Sequence, residues 1–377
     1  MRGPSLRPDT WWRRHGRAPG VLFSGCLNPR NYPDVAGGPG LADGPYAFEV
    51  RATDASHNTD QSPARRDFTV DTVAPAAPVI TVPSSGARQN GNTVGMMGTA
   101  EVGSTVEVLE GTAVKGTART DVSGGWTVFA RSVSDGSHTY TARAVDDAGH
   151  ASGLSDAVTI IVDNGPPETT INSGPNGLTA ENTPTFTFGG TDAVSTVSEL
   201  FFFYRIDEGE WSESQSETSA TLANLSDGRH TFEVKAWNGL NEDPSPAQRS
   251  FTVDTVKPTV LSVTPRENLT GVAPGTSLTA TFSEKMQKAT LTKATFKLFK
   301  VTSTGTTQVT NVTVSLSADG LKATLDPFGT STTQLAKNAK YKAVLTTGAK
   351  DLAGNALDQS PSLSGDQPKS WTFKIRS

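Results

Sequence analysis

The feature that most constrains the fold is an internal repeat. Three segments carry an Asp-Gly pair ahead of an alternating run, and the pairs begin at residues 43, 135 and 227, a constant spacing of 92 residues. Each segment closes with a second matching run that leads into a proline, at 68–75, 160–167 and 251–258. A solenoid repeat spans only about 20–50 residues, whereas a β-sandwich needs about 100. The spacing therefore predicts a row of independently folding modules.

The residues after each Asp-Gly pair predict β-strands. In the third copy Phe232, Val234 and Ala236 alternate with Thr, Glu and Lys. Alternation with a period of two places the apolar residues on one face and the polar residues in solvent. The Asp-Gly pair provides a tight turn before the strand, and proline ends the second strand because it lacks a ladder N–H. Each repeat is thus expected to end in a hairpin followed by a stiff linker.

Composition narrows the class of protein. The chain has 36 Gly, 23 Pro and only 35% hydrophobic residues, which favours many short strands and turns. A net charge of −5 gives no reason to expect nucleic acid as a partner. The sequence has no apolar run of about 18 residues, so no transmembrane segment is predicted. Cys26 is the only cysteine, so an internal disulfide cannot form.

Two motifs carry a family resemblance. A turn such as Asp147-Ala-Gly-His150, followed by Val-Asp-Thr-x-x-Pro in the linker, resembles the bacterial Ig-like repeats of surface adhesins and secreted proteins. The resemblance spans roughly residues 41–256. The last segment, 257–376, resembles an SbsA-type Ig-like domain of surface-layer proteins in its order of motifs, which includes Leu278–Met286 and Asp351–Leu357. The resemblance implies an extracellular or cell-surface location.

The predicted fold is all-β, with tandem immunoglobulin-like β-sandwiches joined by short proline-containing linkers. Only 42 residues precede Asp43, whereas a full repeat needs about fifty, so the first module is predicted to be truncated. The predicted segments are a disordered or non-native N-terminus (1–24), a truncated Ig-like module (25–73), two bacterial Ig-like modules (74–164 and 165–256) and an SbsA-type domain (257–377).

The sequence gives no sign of catalytic machinery. None of the five histidines has the spacing of a zinc site, and no P-loop, nucleophile elbow or dinucleotide fingerprint is present. His138 and His230 occupy the same repeat position, which favours a structural or solvent-facing role. We therefore predict that the chain is not an enzyme and needs no cofactor, with calcium as the one open option.

Carboxylates near the module junctions are the calcium candidates. Calcium takes about 6–8 oxygen ligands, and some similar adhesin repeats bind it at junctions. The alternative is that Asp and Asn cap tight turns through their own backbone, which turn chemistry alone explains. The candidate ligands are Asp54, Asp71, Asp146, Asp147, Asp163 and Asp254.

Two tryptophans are candidates for ligand binding. Trp237 follows the inward-facing Ala236, so it should point outward, and Trp211 lies in a polar, Glu-rich stretch. Trp126 and Trp371 instead follow the alternation of their strands and are predicted to lie in the core. An exposed pair of tryptophans would bind a glycan or a protein, and the sequence does not identify the ligand.

These observations predict a non-catalytic spacer or adhesion array at the bacterial cell surface or in a secreted protein. The chain is expected to be monomeric or part of a longer chain. The alternative is a set of accessory modules, some of which would bind carbohydrate, in a larger secreted hydrolase whose catalytic domain is not in this chain.

Overall fold

The computed structural model describes residues 7–14, 22–23, 41–53, 56, 58–62, 64–329 and 334–377, with side chains at all of these from 41 onward except 50–53. The chain divides into two compact units, Met1–Asn164 and Gly165–Ser377. The described residues form 28 strands and two short 3₁₀ helices, Val197–Glu199 and Lys288–Thr290. The predicted all-β fold is thereby confirmed.

The described residues of the first module form one sheet. Its strands are β1 (Arg7–Arg14), β2 (Leu22–Phe23), β3 (Gly44–Thr53) and β4 (Ala64–Val70), in the order β2-β1-β3-β4. The N-terminus was predicted to be disordered or non-native over 1–24; within it, β1 pairs with β3 along its whole length, from Arg7 opposite Thr53 to Arg14 opposite Tyr46. The backbone groups at this edge of β3 are satisfied by that pairing. The rest of 1–24 lies outside the described residues.

The second module is a two-sheet sandwich. Its strands are β5 (Val79–Val82), β6 (Arg88–Gln89), β7 (Thr93–Thr99), β8 (Thr105–Glu110), β9 (Ala113–Arg119), β10 (Gly125–Arg131), β11 (Gly136–Val145) and β12 (Val158–Val162). One sheet has the order β10-β7-β5 and the other β6-β12-β11-β8-β9. Tyr140 and Met96 are fully buried between them, and Trp126 is only 4% exposed, which confirms its predicted place in the core.

The third module repeats this plan. Its strands are β13 (Glu168–Ser173), β14 (Gly177–Thr179), β15 (Thr185–Thr191), β16 (Phe201–Ile206), β17 (Ser219–Thr221), β18 (Gly228–Trp237) and β19 (Ala247–Val253). The sheets have the orders β13-β15-β17 and β14-β19-β18-β16. Phenylalanines dominate the core, where the rings of Phe186 and Phe232 stack with centroids 4.1 Å apart.

The fourth module has the largest core. Its strands are β20 (Val260–Thr264), β21 (Leu269–Val272), β22 (Leu278–Phe282), β23 (Phe296–Thr302), β24 (Gly305–Gln308), β25 (Thr313–Leu316), β26 (Lys322–Asp326), β27 (Lys340–Leu345) and β28 (Lys369–Ile375). The sheets have the orders β20-β22-β26-β25 and β21-β28-β27-β23-β24. Trp371 is 1% exposed, again as predicted, and packs against Phe296.

The alternation and the turns follow the sequence pattern. Phe232, Val234 and Ala236 are all fully buried, while the residues between them are half-exposed. The glycines of the Asp-Gly pairs in the second and third modules, Gly136 and Gly228, have φ angles of 122° and 138°. A side chain is strained at such angles, so glycine is needed at these turns. The buried residues of the second, third and fourth modules form three hydrophobic clusters, one within each module.

Candidate functional site

One group of potential metal ligands lies where the first module meets the second. Asp71 directly follows β4, and Asp146 and His150 bracket the turn after β11. One side-chain ligand atom from each of these three residues lies within 4.8 Å of the other two. We call these residues the first junction cluster.

Asp146 is held in place by its own turn. Its Oδ1 accepts the backbone N–H of His150 at 2.8 Å, and its Oδ2 lies 3.1 Å from His150 Nδ1. Burial raises the pKa of the Asp146 carboxyl, but the hydrogen bonds from His150 outweigh that effect and leave the pKa lowered. The carboxylate is therefore ionised at neutral pH, as a cation ligand must be.

A second group lies where the third module meets the fourth. Asp254 directly follows β19, Glu284 follows β22, and Asp351 begins the turn Asp351–Asn355. One carboxylate oxygen from each residue lies within 4.8 Å of the other two. We call these residues the second junction cluster. The Nδ2 of Asn355 donates to the backbone oxygen of Asp254 at 2.7 Å, so the turn is tied to the linker.

Glu284 is the unusual member of the second junction cluster. Its Oε1 is buried and makes no hydrogen bond. Burial, together with the negative charges of Asp351 and Asp254, raises the pKa of Glu284 to about 7. Three carboxylates this close repel one another, so a proton on Glu284 or a bound cation is needed to offset their charge.

The other predicted calcium ligands do not join these clusters. Asp147 forms a two-pronged ion pair with Arg119, with N–O distances of 2.9 and 2.8 Å. Asp163 is fully buried, and its Oδ2 lies 3.5 Å from Nη2 of Arg88. Asp54 lies outside the described residues. Three of the six predicted aspartates, Asp71, Asp146 and Asp254, are therefore brought into clusters.

Sequence reasoning missed part of each cluster as a ligand set. His150 ends an Asp-x-Ala-Gly-His turn that matches the turn Asp351–Asn355, a signal that was visible in the sequence. Glu284 gave no such signal, because it follows an ordinary alternating strand and meets the linker only in the folded chain. The turn aspartates also cap their own loops, since Asp351 Oδ1 accepts the N–H groups of Gly354 and Asn355 at 2.7 and 2.8 Å.

A side chain at the same repeat position closes the hairpin turn in each of the first three modules. The hydroxyl of Tyr46 and the Nε2 atoms of His138 and His230 each bond the backbone carbonyl four residues earlier, all at 2.8 Å. The other ring nitrogen of each histidine contacts a carboxylate, Glu110 at 2.7 Å or Asp207 at 2.6 Å. The predicted structural role of these histidines agrees with these contacts.

The two tryptophans predicted to bind a ligand lie close to one strand pair of the third module. Trp237 is half-buried on the outer face of β18, between the buried residues Ala236 and Asn238. Trp211 belongs to the loop after β16, and the guanidinium of Arg205 lies 4.5 Å from the centre of its ring. Both side chains therefore belong to the outer surface of the same sheet.

Comparison with known proteins identifies two of the modules. Residues 84–164 and 254–374 each match a family model described as a bacterial Ig-like domain. The chain therefore contains two bacterial Ig-like domains within an all-β architecture. The SbsA subtype expected for the last segment is not distinguished by this match. No curated protein matches the sequence.

Several solved structures resemble the chain at low identity. A tetra-tandem repeat from the extending region of a large adhesion protein is 18% identical, covers 99% of this chain and 92% of its own, and has a TM-score of 0.32. The fibronectin(III)-like modules of Clostridium thermocellum CbhA are 19% identical over 46% of this chain and 93% of theirs, with a TM-score of 0.31. The N-terminal part of the bacterial S-layer protein SbsC is 24% identical over 32% and 24%, with a TM-score of 0.22.

The membrane prediction was tested on the described residues. Neither of their helices has the length and apolar character that a bilayer crossing requires.

Proposed function

We propose that the chain is a non-catalytic spacer and adhesion array that acts outside the bacterial cell. The observation that carries the proposal is that the second, third and fourth modules each have their own hydrophobic cluster, while proline-containing linkers join them. A module with its own core can fold independently of its neighbours, as a spacer built from separate modules requires. The two bacterial Ig-like domains support the extracellular location.

Side chains that often carry catalysis have structural contacts here. His138 and His230 each use both ring nitrogens to bond a backbone carbonyl and a carboxylate. The turn aspartates Asp146 and Asp351 each accept a hydrogen bond from a backbone N–H group through a carboxylate oxygen. These uses support a non-catalytic role. The alternative hypothesis is that the chain consists of accessory modules of a larger secreted hydrolase. Neither hypothesis gives these residues a catalytic role.

Small-angle X-ray scattering tests the spacer role. A compact protein of 377 residues would have a radius of gyration of about 21 Å. A monomeric row of modules separated by stiff linkers predicts a much larger value. A radius near the compact value would contradict the spacer role.

We further propose that the two junction clusters bind a divalent cation such as calcium. The buried, unpaired Oε1 of Glu284 among three carboxylates favours this for the second cluster. A cation would neutralise the carboxylates and stiffen the linker between the third and fourth modules. Binding should also favour the ionised form of Glu284 and release its proton.

Calorimetric unfolding with calcium and with a chelator tests this second proposal. Calcium should raise the melting temperature of the parent, and Glu284→Gln should reduce that gain. Glu107→Gln is the matched control, because Glu107 pairs with Arg143 in the second module and belongs to neither cluster. Unchanged melting of the parent with and without chelator would rule out calcium binding at the junctions.

A further inference from the structure

The outer surface of one sheet in the third module carries four aromatic side chains. Phe201 and Phe203 lie on the edge strand β16, Trp237 lies on the adjacent strand β18, and Trp211 lies in the loop that follows β16. Phe201 is 39% exposed and the other three are half-buried. We call these four residues the aromatic face.

The rings of the aromatic face form two neighbouring groups. Phe201 and Trp237 are opposite each other in the strand pair, with ring centroids 5.9 Å apart and planes tilted by 47°. The ammonium of Lys235 lies 5.5 Å from the ring centre of Phe203 and 4.8 Å from that of Trp211. Lys235 lies on strand β18, so its cation–π contact with Trp211 holds the loop ring over the surface of the sheet.

The fold does not require these aromatic residues. Strand β11 of the second module corresponds to β18 at an offset of 92 residues, and β8 pairs with β11 as β16 pairs with β18, at an offset of 96 residues. In the second module the pair that corresponds to Phe201 and Trp237 is Thr105 and Val145. The same sheet therefore forms without large rings at these positions. Partly exposed aromatic residues that the core does not need indicate a contact surface.

The two cations beside the aromatic face are each paired with a carboxylate. Arg205 donates to Glu233 at 2.6 Å, and Lys235 donates to Glu242 at 2.6 Å. The loop that carries Trp211 adds exposed glutamates, so the surroundings of the aromatic face have a net negative charge that disfavours an anionic ligand. The paired groups retain further hydrogen-bonding capacity, because an ammonium has three donors and a carboxylate can accept several bonds.

The edge of the sheet leaves no room for an added peptide strand. Phe202 exchanges two backbone hydrogen bonds with Gln215, at 2.7 and 3.0 Å, and Ser212 donates its N–H to the carbonyl of Tyr204 at 2.8 Å. The loop after β16 thus already pairs with this edge. A ligand of the aromatic face must therefore lie on the surface of the sheet rather than extend it.

We propose that the aromatic face binds a neutral polysaccharide. A sugar ring presents an apolar C–H face, which stacks on an aromatic ring, and hydroxyl groups at its rim that both donate and accept hydrogen bonds. The aromatic face offers rings next to paired donors and acceptors in acidic surroundings, which suits an uncharged sugar chain and disfavours an acidic one. The proposed sugar site does not depend on the spacer role. A compact radius of gyration would contradict the spacer role but not sugar binding.

Affinity electrophoresis of the whole chain tests the proposal. Native gels would contain a soluble β-glucan, a xylan, a galactomannan or an α-glucan, with polygalacturonate as the acidic comparison. Two variants remove the rings in different ways. Trp211→Ala removes the loop ring, and the double variant Phe201→Thr with Trp237→Val copies the pair found in the second module. Circular dichroism would check that each variant is folded.

The matched control is Phe129→Ala. Phe129 is 55% exposed, lies in the second module and is not part of the aromatic face. The parent and this control should be retarded equally by at least one neutral polysaccharide. Loss of a stacked ring should weaken retardation by about fivefold or more. No retardation of the parent by any neutral polysaccharide, retardation by polygalacturonate alone, or equal retardation of parent and folded variants would overturn the proposal.

Discussion

His230 is predicted to make the stability of the third module depend on pH. The residue is 7% exposed, its Nε2 lies 2.8 Å from the carbonyl of Ser226, and its Nδ1 lies 2.6 Å from Oδ2 of Asp207. Both partners accept hydrogen bonds, so both ring nitrogens must donate. Only the protonated ring can satisfy both contacts.

The direction of the pH effect follows from the pKa of His230. Burial lowers the pKa, but the Ser226 carbonyl and the Asp207 carboxylate outweigh burial and raise the pKa above its ordinary value of 6.5. A pKa that is raised in the folded state contributes stability that is fully present below 6.5 and is lost as the pH rises through the folded-state value. The third module should therefore be more stable at pH 6 than at pH 8.5.

The size of the effect follows from the contacts. A hydrogen bond to a charged partner contributes about 2 kcal/mol, which corresponds to a shift of about 10 °C in the melting temperature of a module near 90 residues. His230→Gln cannot donate to both partners in the same geometry and carries no charge. Scanning calorimetry of the parent and the variant should give a melting difference at pH 6 that shrinks at pH 8.5.

An NMR titration of the His230 ring measures its pKa independently of the calorimetry. A measured pKa of His230 below 6.5, or a melting difference that is the same at both pH values, would contradict the predicted protonation of the ring.

Other predictions concern the cores and the surface. Trp371→Ala should destabilise the fourth module by about 3–5 kcal/mol because the ring is fully enclosed, and calorimetry should show only that module's transition move. Gly98→Ala should lower the melting temperature of the second module, because an added Cβ would overlap the carbonyl oxygen of Val79 and lie 2.6 Å from the Trp126 ring; unchanged melting would contradict this contact. Asp147→Asn should leave melting unchanged, since its ion pair is exposed to solvent.

The alternation of residues along single strands could be read from the sequence. Phe232, Val234 and Ala236 are buried as the period of two requires, and Trp237 lies on the outer face for the same reason. Such patterns are local, because each residue's side of the strand depends only on its position along it. The turn at Gly228 was predictable on the same basis, since an Asp-Gly pair already favours a positive φ.

Groups that converge from distant parts of the chain were harder to predict. Glu284 meets Asp254 and Asp351 only because β22 ends beside the linker in the folded chain, and no local pattern marks that residue. Trp211 lies in a loop whose sequence has no periodicity, and cations on the sheet place its ring. The strand β1 was missed because its pairing with β3 joins residues far apart in the sequence.

Stretching single molecules between their ends tests most directly whether the chain is an array of independently folding modules. An array of this kind should give several separate unfolding events, with contour-length gains of roughly 300 Å for a module of about 92 residues and roughly 400 Å for the longer last module. A single event that releases the whole chain at once would contradict this prediction.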